Sequence, residues 1–149
     1  MLDDLYSARI LKAAANMPHA GRLPEPQGSS EKIAKLCGSR VLVDVAVTGG
    51  RVSDFAQEVK ACALGQAAAA ILGEHIIGAT PAEVDEARDA LYAMLKSGGP
   101  APQGRFSDLA MLEPVKDYAP RHASTLLVFE AAAEALRQAT TRTSAAGAA

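Results

Sequence analysis

Residues 40–59, "RVLVDVAVTGGRVSDFAQEV", decide the fold. Val41, Val43, Val45 and Val47 alternate with Leu42, Asp44, Ala46 and Thr48, the period of two that gives a strand one buried face. Gly49-Gly50 supplies the positive φ angles of a tight hairpin turn, and "RVSDFAQEV" returns as the partner strand. An earlier strand is expected in "SEKIAKLC", which completes a small antiparallel sheet. Cys37 then follows one strand and Cys62 another, so both thiols are expected at one end of the sheet.

Around the sheet, the remaining segments read as helices and connectors. Leu2, Leu5, Ala8, Leu11 and Ala15 recur at helical spacing, with Asp3 and Asp4 in the first turn, where the helix dipole favours anions. Pro18 stops that helix, and the chain from there to Ser30 is a connector rich in Pro, Gly and Ser. "ALGQAAAAILGEHIIG" is a helix ended by Gly78. Thr80, Pro81 and Glu83 spell a capping box that opens a helix through Val84, Leu91 and Leu95 and stops at "SGGP". "FSDLAMLEPV" is a short helix with Ser107 as its N-cap. The last helix starts near Pro120 and carries Leu126, Phe129, Ala133 and Leu136 on one face. The expected class is α+β, a small three-stranded antiparallel sheet with helices packed against it. Residues 1–139 are read as a single domain and 140–149 as a disordered C-terminal tail.

Composition narrows the function. A chain of 149 residues is long enough to bury one compact core, and with aromatics at 4% and alanine abundant, that core must be built from small side chains in closely packed helices. A formal net charge of -2 offers no basic field for collecting phosphates, which argues against a nucleic-acid partner. The N-terminus is acidic and amphipathic rather than basic then apolar, and no apolar run approaches the roughly 20 residues that span a bilayer. The reading is a cytoplasmic protein with no membrane partner. Two cysteines in a reducing compartment point to a metal or reactive role before a structural disulfide.

Cys62 follows Lys60 and opens the alanine-rich helix, where the dipole and a nearby cation both favour a thiolate, the form that acts as nucleophile or metal ligand. Cys37 lies in Leu-Cys-Gly-Ser, where glycine lets the backbone turn sharply. His122 begins the last helix and is the best remaining soft-metal donor. The other candidates read blandly: His19 as a solvated loop residue, His75 as bonded to backbone or water, Asp44 as a surface residue of the sheet, and Lys60 and Arg121 as helix-end charges.

Four segments in chain order resemble the IscU, SufU and NifU-type iron–sulfur cluster assembly scaffolds. "NMPHAGRL" is similar to the family's Asn-Pro-x-x-x-Gly segment, and "LCGSRVLVDVAV" to its Cys-Gly-Asp followed by a strand. "ACALGQAAAAIL" resembles its Gly-Cys helix start, and "PRHASTLL" its third motif, His-Cys or Lys-Cys followed by a small residue and leucine. The resemblance covers about residues 5–137. It implies an IscU/SufU-like fold and a non-enzymatic scaffold that holds iron or a nascent, transient iron–sulfur cluster. In that family three cysteines and an aspartate form the site, a cysteine desulfurase delivers sulfur, and apo iron–sulfur proteins receive the product. Position by position, Cys37 and Cys62 match the first two ligands. Ser39 stands at the aspartate position and Ala123 at the third cysteine. His122 matches a histidine beside that third cysteine, and the resemblance makes it the third ligand, with the fourth place open to Ser39, solvent or a partner. A cluster shared across a homodimer fits such an open site. The long segment between Cys62 and His122 resembles the SufU branch, which implies an alternative: zinc at the same residues, with Cys37 or Cys62 as sulfur acceptor. A further alternative is a degenerate paralogue that docks on assembly partners without a cluster.

Overall fold

The computed structural model describes residues 7–35 and 38–148, with side-chain surroundings through residue 141. Helix α1 spans Ala8–Ala15, and strands β1, β2 and β3 span Gly28–Ala34, Ser39–Thr48 and Arg51–Lys60. Helices α2 (Ala63–His75) and α3 (Pro81–Ser97) follow, then tight 3-10 segments at Gly104–Asp117 and Ala119–Arg121, and finally helix α4 (His122–Ala148). None of these helices is long and apolar enough to cross a membrane.

The sheet is antiparallel in the order β1-β2-β3. Gly49 and Gly50 take φ of 61° and 78°, the left-handed pair a two-residue hairpin turn requires. Val41, Val43 and Val45 are fully buried, as the alternation predicts, and α4 packs across β1 and β2. Strand β1 begins at Gly28, earlier than the apolar pattern shows. A Cβ there would lie 1.9 Å from the Ala135 carbonyl oxygen, so the strand crosses α4 where only glycine fits. Ser29 N–H then donates to Gln138 Oε1 of α4 (3.0 Å).

The alanine-rich core is real: Ala67, Ala68 and Ala69 of α2 and Ala131, Ala132 and Ala135 of α4 are all fully buried. Side chains this small let helix axes approach closely and fill the gap without voids. The capping box stands as read, with Glu83 N–H donating to Thr80 Oγ1 (3.1 Å) and Thr80 N–H to Glu83 Oε1 (3.0 Å).

Three expectations need correction. Residues 1–6, with Asp3 and Asp4, fall outside the described residues, and the described start of α1 is capped by Ser7, whose Oγ accepts from Ile10 N–H (3.3 Å). The segment around "FSDLAMLEPV" is wound as 3-10 turns between Gly104 and Asp117, interrupted by a non-helical Phe106, not as one α-helix capped by Ser107; Gln103 stands at its N-cap. Phe106, Leu109, Leu112 and Val115 are its buried residues, spaced every three positions, which matches three residues per turn rather than 3.6. Helical backbone continues through Ala148. Extending an already packed helix needs no new nucleus, so alanine-rich sequence follows it readily.

Asp44 is the third. It is fully buried rather than on the sheet surface, because the connector folds over its face. It accepts from Arg22 Nε (2.6 Å), Ser29 Oγ (2.7 Å) and Leu23 N–H (3.1 Å). Burial pushes the carboxyl up, but the hydrogen bonds from Arg22, Ser29 and Leu23 and the Arg22 charge outweigh it and hold Asp44 below the ordinary carboxylate value.

Candidate metal and thiol site

Two registers set the site. Ala34 pairs with Ser39, and Arg40 with Lys60, so Ala34, Ser39 and Lys60 lie at one end of the sheet. Gly38 joins them: its φ is +75°, and its N–H donates to Ala34 O (2.8 Å). Cys37 itself falls outside the described residues. Ser39, at the position where the resemblance expects aspartate, is 4% exposed at the first position of β2.

Cys62 is the N-cap of α2, two residues past the end of β3, and is half-buried. Its side chain does not cap its own helix. Instead Sγ lies 3.3 Å from Ser124 Oγ in the first turn of α4. Gly65 makes this approach possible. A Cβ at that position would meet Ala61 Cβ at 2.8 Å and Ser124 O at 3.0 Å, so the first turn of α2 rests against the start of α4 only because residue 65 has no side chain.

One residue turns a helical side chain by about 100° and two by about 200°. The consequence at residues 122–124 is plain. Ser124 meets Cys62, Ala123 is exposed, and His122 is 4% exposed with its ring against the preceding 3-10 segment. His122 Nε2 lies 2.9 Å from Val115 O and 3.0 Å from Lys116 O. Carbonyl oxygens only accept, so Nε2 carries the proton and Nδ1 keeps a free lone pair. That Nδ1 is buried without a hydrogen-bond partner. A ring nitrogen donating to backbone carbonyl while the other stays unprotonated is how metal-ligating imidazoles are commonly oriented.

The other sequence candidates are placed as follows. His19 is exposed, with φ of 58°, and its carbonyl accepts from Gln57 N–H (2.9 Å), so the connector is pinned along β3. Lys60 is exposed and Arg121 half-buried. His75 Nε2 lies 3.0 Å from Asp108 Oδ2, a side-chain partner the sequence reading did not name. Glu74, His75 and Asp108 form a group of metal-type donors among the described residues, their ligand atoms within 4.8 Å of one another. That group sits at the far end of α2, roughly 18 Å along the helix from Cys62. Arg105 occupies the same helix end, donating to the carbonyls of His75 (3.1 Å) and Ile77 (3.2 Å), and its positive charge opposes a cation there.

Sequence reasoning missed Ser124, Gly65 and the Arg22–Asp44 pair. The signal for Gly65 was available: a glycine one turn after a helix-opening cysteine marks close approach by another backbone. For Ser124 no pattern in the sequence distinguishes it from its neighbours.

A three-stranded antiparallel sheet with helices packed on it, and a cysteine presented at the sheet's end by the first helix after it, define a small α+β fold with a thiol at one end of its sheet. No protein-family model matches the chain. The crystal structure of the N-terminal part of a NifU-like protein from Brucella abortus is 52% identical, covers 94% of this chain and 97% of that one, and superposes with a TM-score of 0.92. The iron–sulfur cluster assembly scaffold protein IscU of Thermotoga maritima is 25% identical over 134 residues, 90% of this chain and 94% of that protein. A SufU structure from Fervidobacterium islandicum AW-1, 24% identical, shows the same fold at a TM-score of 0.82 over 90% of this chain and 98% of that one. The chain belongs to the IscU, SufU and NifU N-terminal-type family of iron–sulfur cluster assembly scaffolds.

Proposed function

We propose that this protein is a scaffold on which iron and sulfide are gathered through Cys37 and Cys62, with His122 Nδ1 as third donor, and from which the cluster passes to apo iron–sulfur proteins. The cluster is cargo, so a site with few strong protein ligands suits the role: it holds the product while leaving positions for a recipient to take over. A cysteine desulfurase is the proposed source of sulfur. The observation that carries the reading is Cys62 at the head of α2, at the sheet end that also holds Gly38 and Ser39. The unpartnered Nδ1 of His122 supports its inclusion, since soft thiolates and imidazole form a donor set suited to iron and zinc. Ser39, buried at the start of β2, is the optional fourth donor.

Titration of the purified apo-protein with ferrous iron under anaerobic conditions tests the ligand set. Cys62→Ala and Cys37→Ala should each abolish tight binding, and His122→Ala should weaken it. Binding by His122→Ala as tight as the parent removes His122 from the set.

A second reading has its own support. The imidazole with carbonyl partners and the two thiols also suit zinc, and Cys62 is only half-buried. In that case a cysteine thiolate attacks the terminal sulfur of the desulfurase persulfide. A new S–S bond forms at the acceptor, the donor S–S bond breaks, and the desulfurase thiolate leaves with the electron pair. Mass spectrometry showing a stable persulfide on one cysteine, with zinc retained and no cluster formed, favours this reading over the first.

A further inference from the structure

Ser124 lies one residue beyond the position at which a third thiol is expected, and it is Ser124, not Ala123, that meets Cys62. The residue is 2% exposed, and its Oγ lies 3.3 Å from Cys62 Sγ. The same Oγ is 3.3 Å from Arg121 O, so one hydroxyl proton has two acceptors to choose between. Distance and competition decide the choice. Arg121 O already accepts from Thr125 Oγ1 at 2.8 Å. For an O–H···O bond, 3.3 Å is beyond the usual limit of about 3.0 Å, whereas a sulfur atom is larger and accepts at that separation without strain.

The state of Cys62 completes the argument. As a thiol it can donate its own proton to Ser124. Once it ligates a metal or bears an added sulfur it has no proton to give, and the contact survives only if Ser124 donates. The absence of a side chain at Gly65 lets the start of α2 lie directly against the Ser124 backbone, which keeps the two groups within reach of each other.

We propose that Ser124 is a positioning residue of the Cys62 site, its hydroxyl donating to the sulfur in the loaded state and fixing the direction in which Sγ presents its lone pairs. This rests on the scaffold reading above, and deepens it by naming a group that substitutes partly for the absent third thiol. A donor aimed at a coordinated sulfur draws charge out of the metal–sulfur bond. It offsets the thiolate charge and fixes the orientation of the sulfur, which favours the loaded state without adding a ligand.

Cobalt(II) is the probe, because its thiolate charge-transfer band reports the bonded sulfur directly. Parent, Ser124→Ala, Ser124→Thr and Cys62→Ala proteins are titrated with cobalt(II) chloride, with far-ultraviolet circular dichroism showing that each is folded. Ser124→Ala should bind about 10-fold more weakly, the magnitude usual for removal of a partner of a metal ligand. Its charge-transfer band should move to longer wavelength, and Ser124→Thr, which restores the hydroxyl, should return both properties to the parent values. An unchanged affinity and band in Ser124→Ala overturns the proposal. So does complete loss of the band in that variant, which would make Ser124 a ligand rather than a positioning group. Failure of the scaffold reading looks different: parent and Cys62→Ala would then give the same titration, whatever Ser124 does.

Discussion

Substituting Gly65 by alanine probes the joint between fold and site. The new Cβ would sit 2.8 Å from Ala61 Cβ and 3.0 Å from Ser124 O. Carbon atoms prefer about 3.5–4.0 Å, so Ala61 must shift by roughly half an ångström or more, and the Ser124 carbonyl of α4 must give by a few tenths. At an open helical position this substitution stabilises a protein by about 1 kcal/mol. Overpacking a close contact costs about 1–3 kcal/mol. The expected net effect is a loss of up to about 2 kcal/mol, read as a fall in Tm of up to about 8 °C for a chain of this length. The same displacement opens the 3.3 Å contact between Cys62 and Ser124, so metal affinity should fall together with stability. Thermal unfolding by circular dichroism and metal titration on one preparation measure both. A Tm that rises, with metal affinity unchanged, refutes the claim that Gly65 sets the distance between α2 and the start of α4.

Two further outcomes follow from the same geometry. Asp44→Asn should cost about 2–3 kcal/mol at pH 7, since it weakens a buried carboxylate held by three donors, one of them a half-exposed arginine. Asp44 has its folded pKa below the unfolded value of about 3.9, so its stabilisation is complete above that pH and lost as pH falls through the folded value. The Tm difference between parent and Asp44→Asn should therefore shrink below about pH 4; a constant difference down to acid unfolding contradicts it. Arg105→Ala should lower stability by about 1–2 kcal/mol by stripping the C-terminal carbonyls of α2 of their donor, and should leave metal binding untouched, because Arg105 acts at the helix end opposite Cys62. Metal affinity that falls in Arg105→Ala would show the two ends of α2 to be coupled.

How far the sequence carries can be traced residue by residue. The valine alternation and the Gly49-Gly50 turn place β2 and β3 without help, because strand period and turn chemistry are local. Helix α3 is equally legible, its capping box being a local exchange of hydrogen bonds. The 3-10 segment was misread because four apolar residues spaced by three can be fitted loosely to a helix of 3.6. Asp44 was misread for a different reason: period two assigns it to the outer face of the sheet, and nothing local says that the connector returns to cover that face. Cys62 at the head of α2 was legible from the helix start. What could not be read was the side-chain direction at residues 122–124, where successive turns of about 100° send His122, Ala123 and Ser124 to three different environments. That depends on where α4 crosses α2, which Gly65 fixes through space rather than along the chain.

The central claim is that Cys37 and Cys62 hold a cluster under assembly. Anaerobic reconstitution with ferrous iron and sulfide, followed by the visible absorption spectrum and metal and acid-labile sulfide analysis, tests it most directly. The parent should become coloured and carry iron and sulfide in comparable amounts, and Cys37→Ala and Cys62→Ala should stay colourless. A parent protein that remains colourless and takes up only zinc contradicts the account.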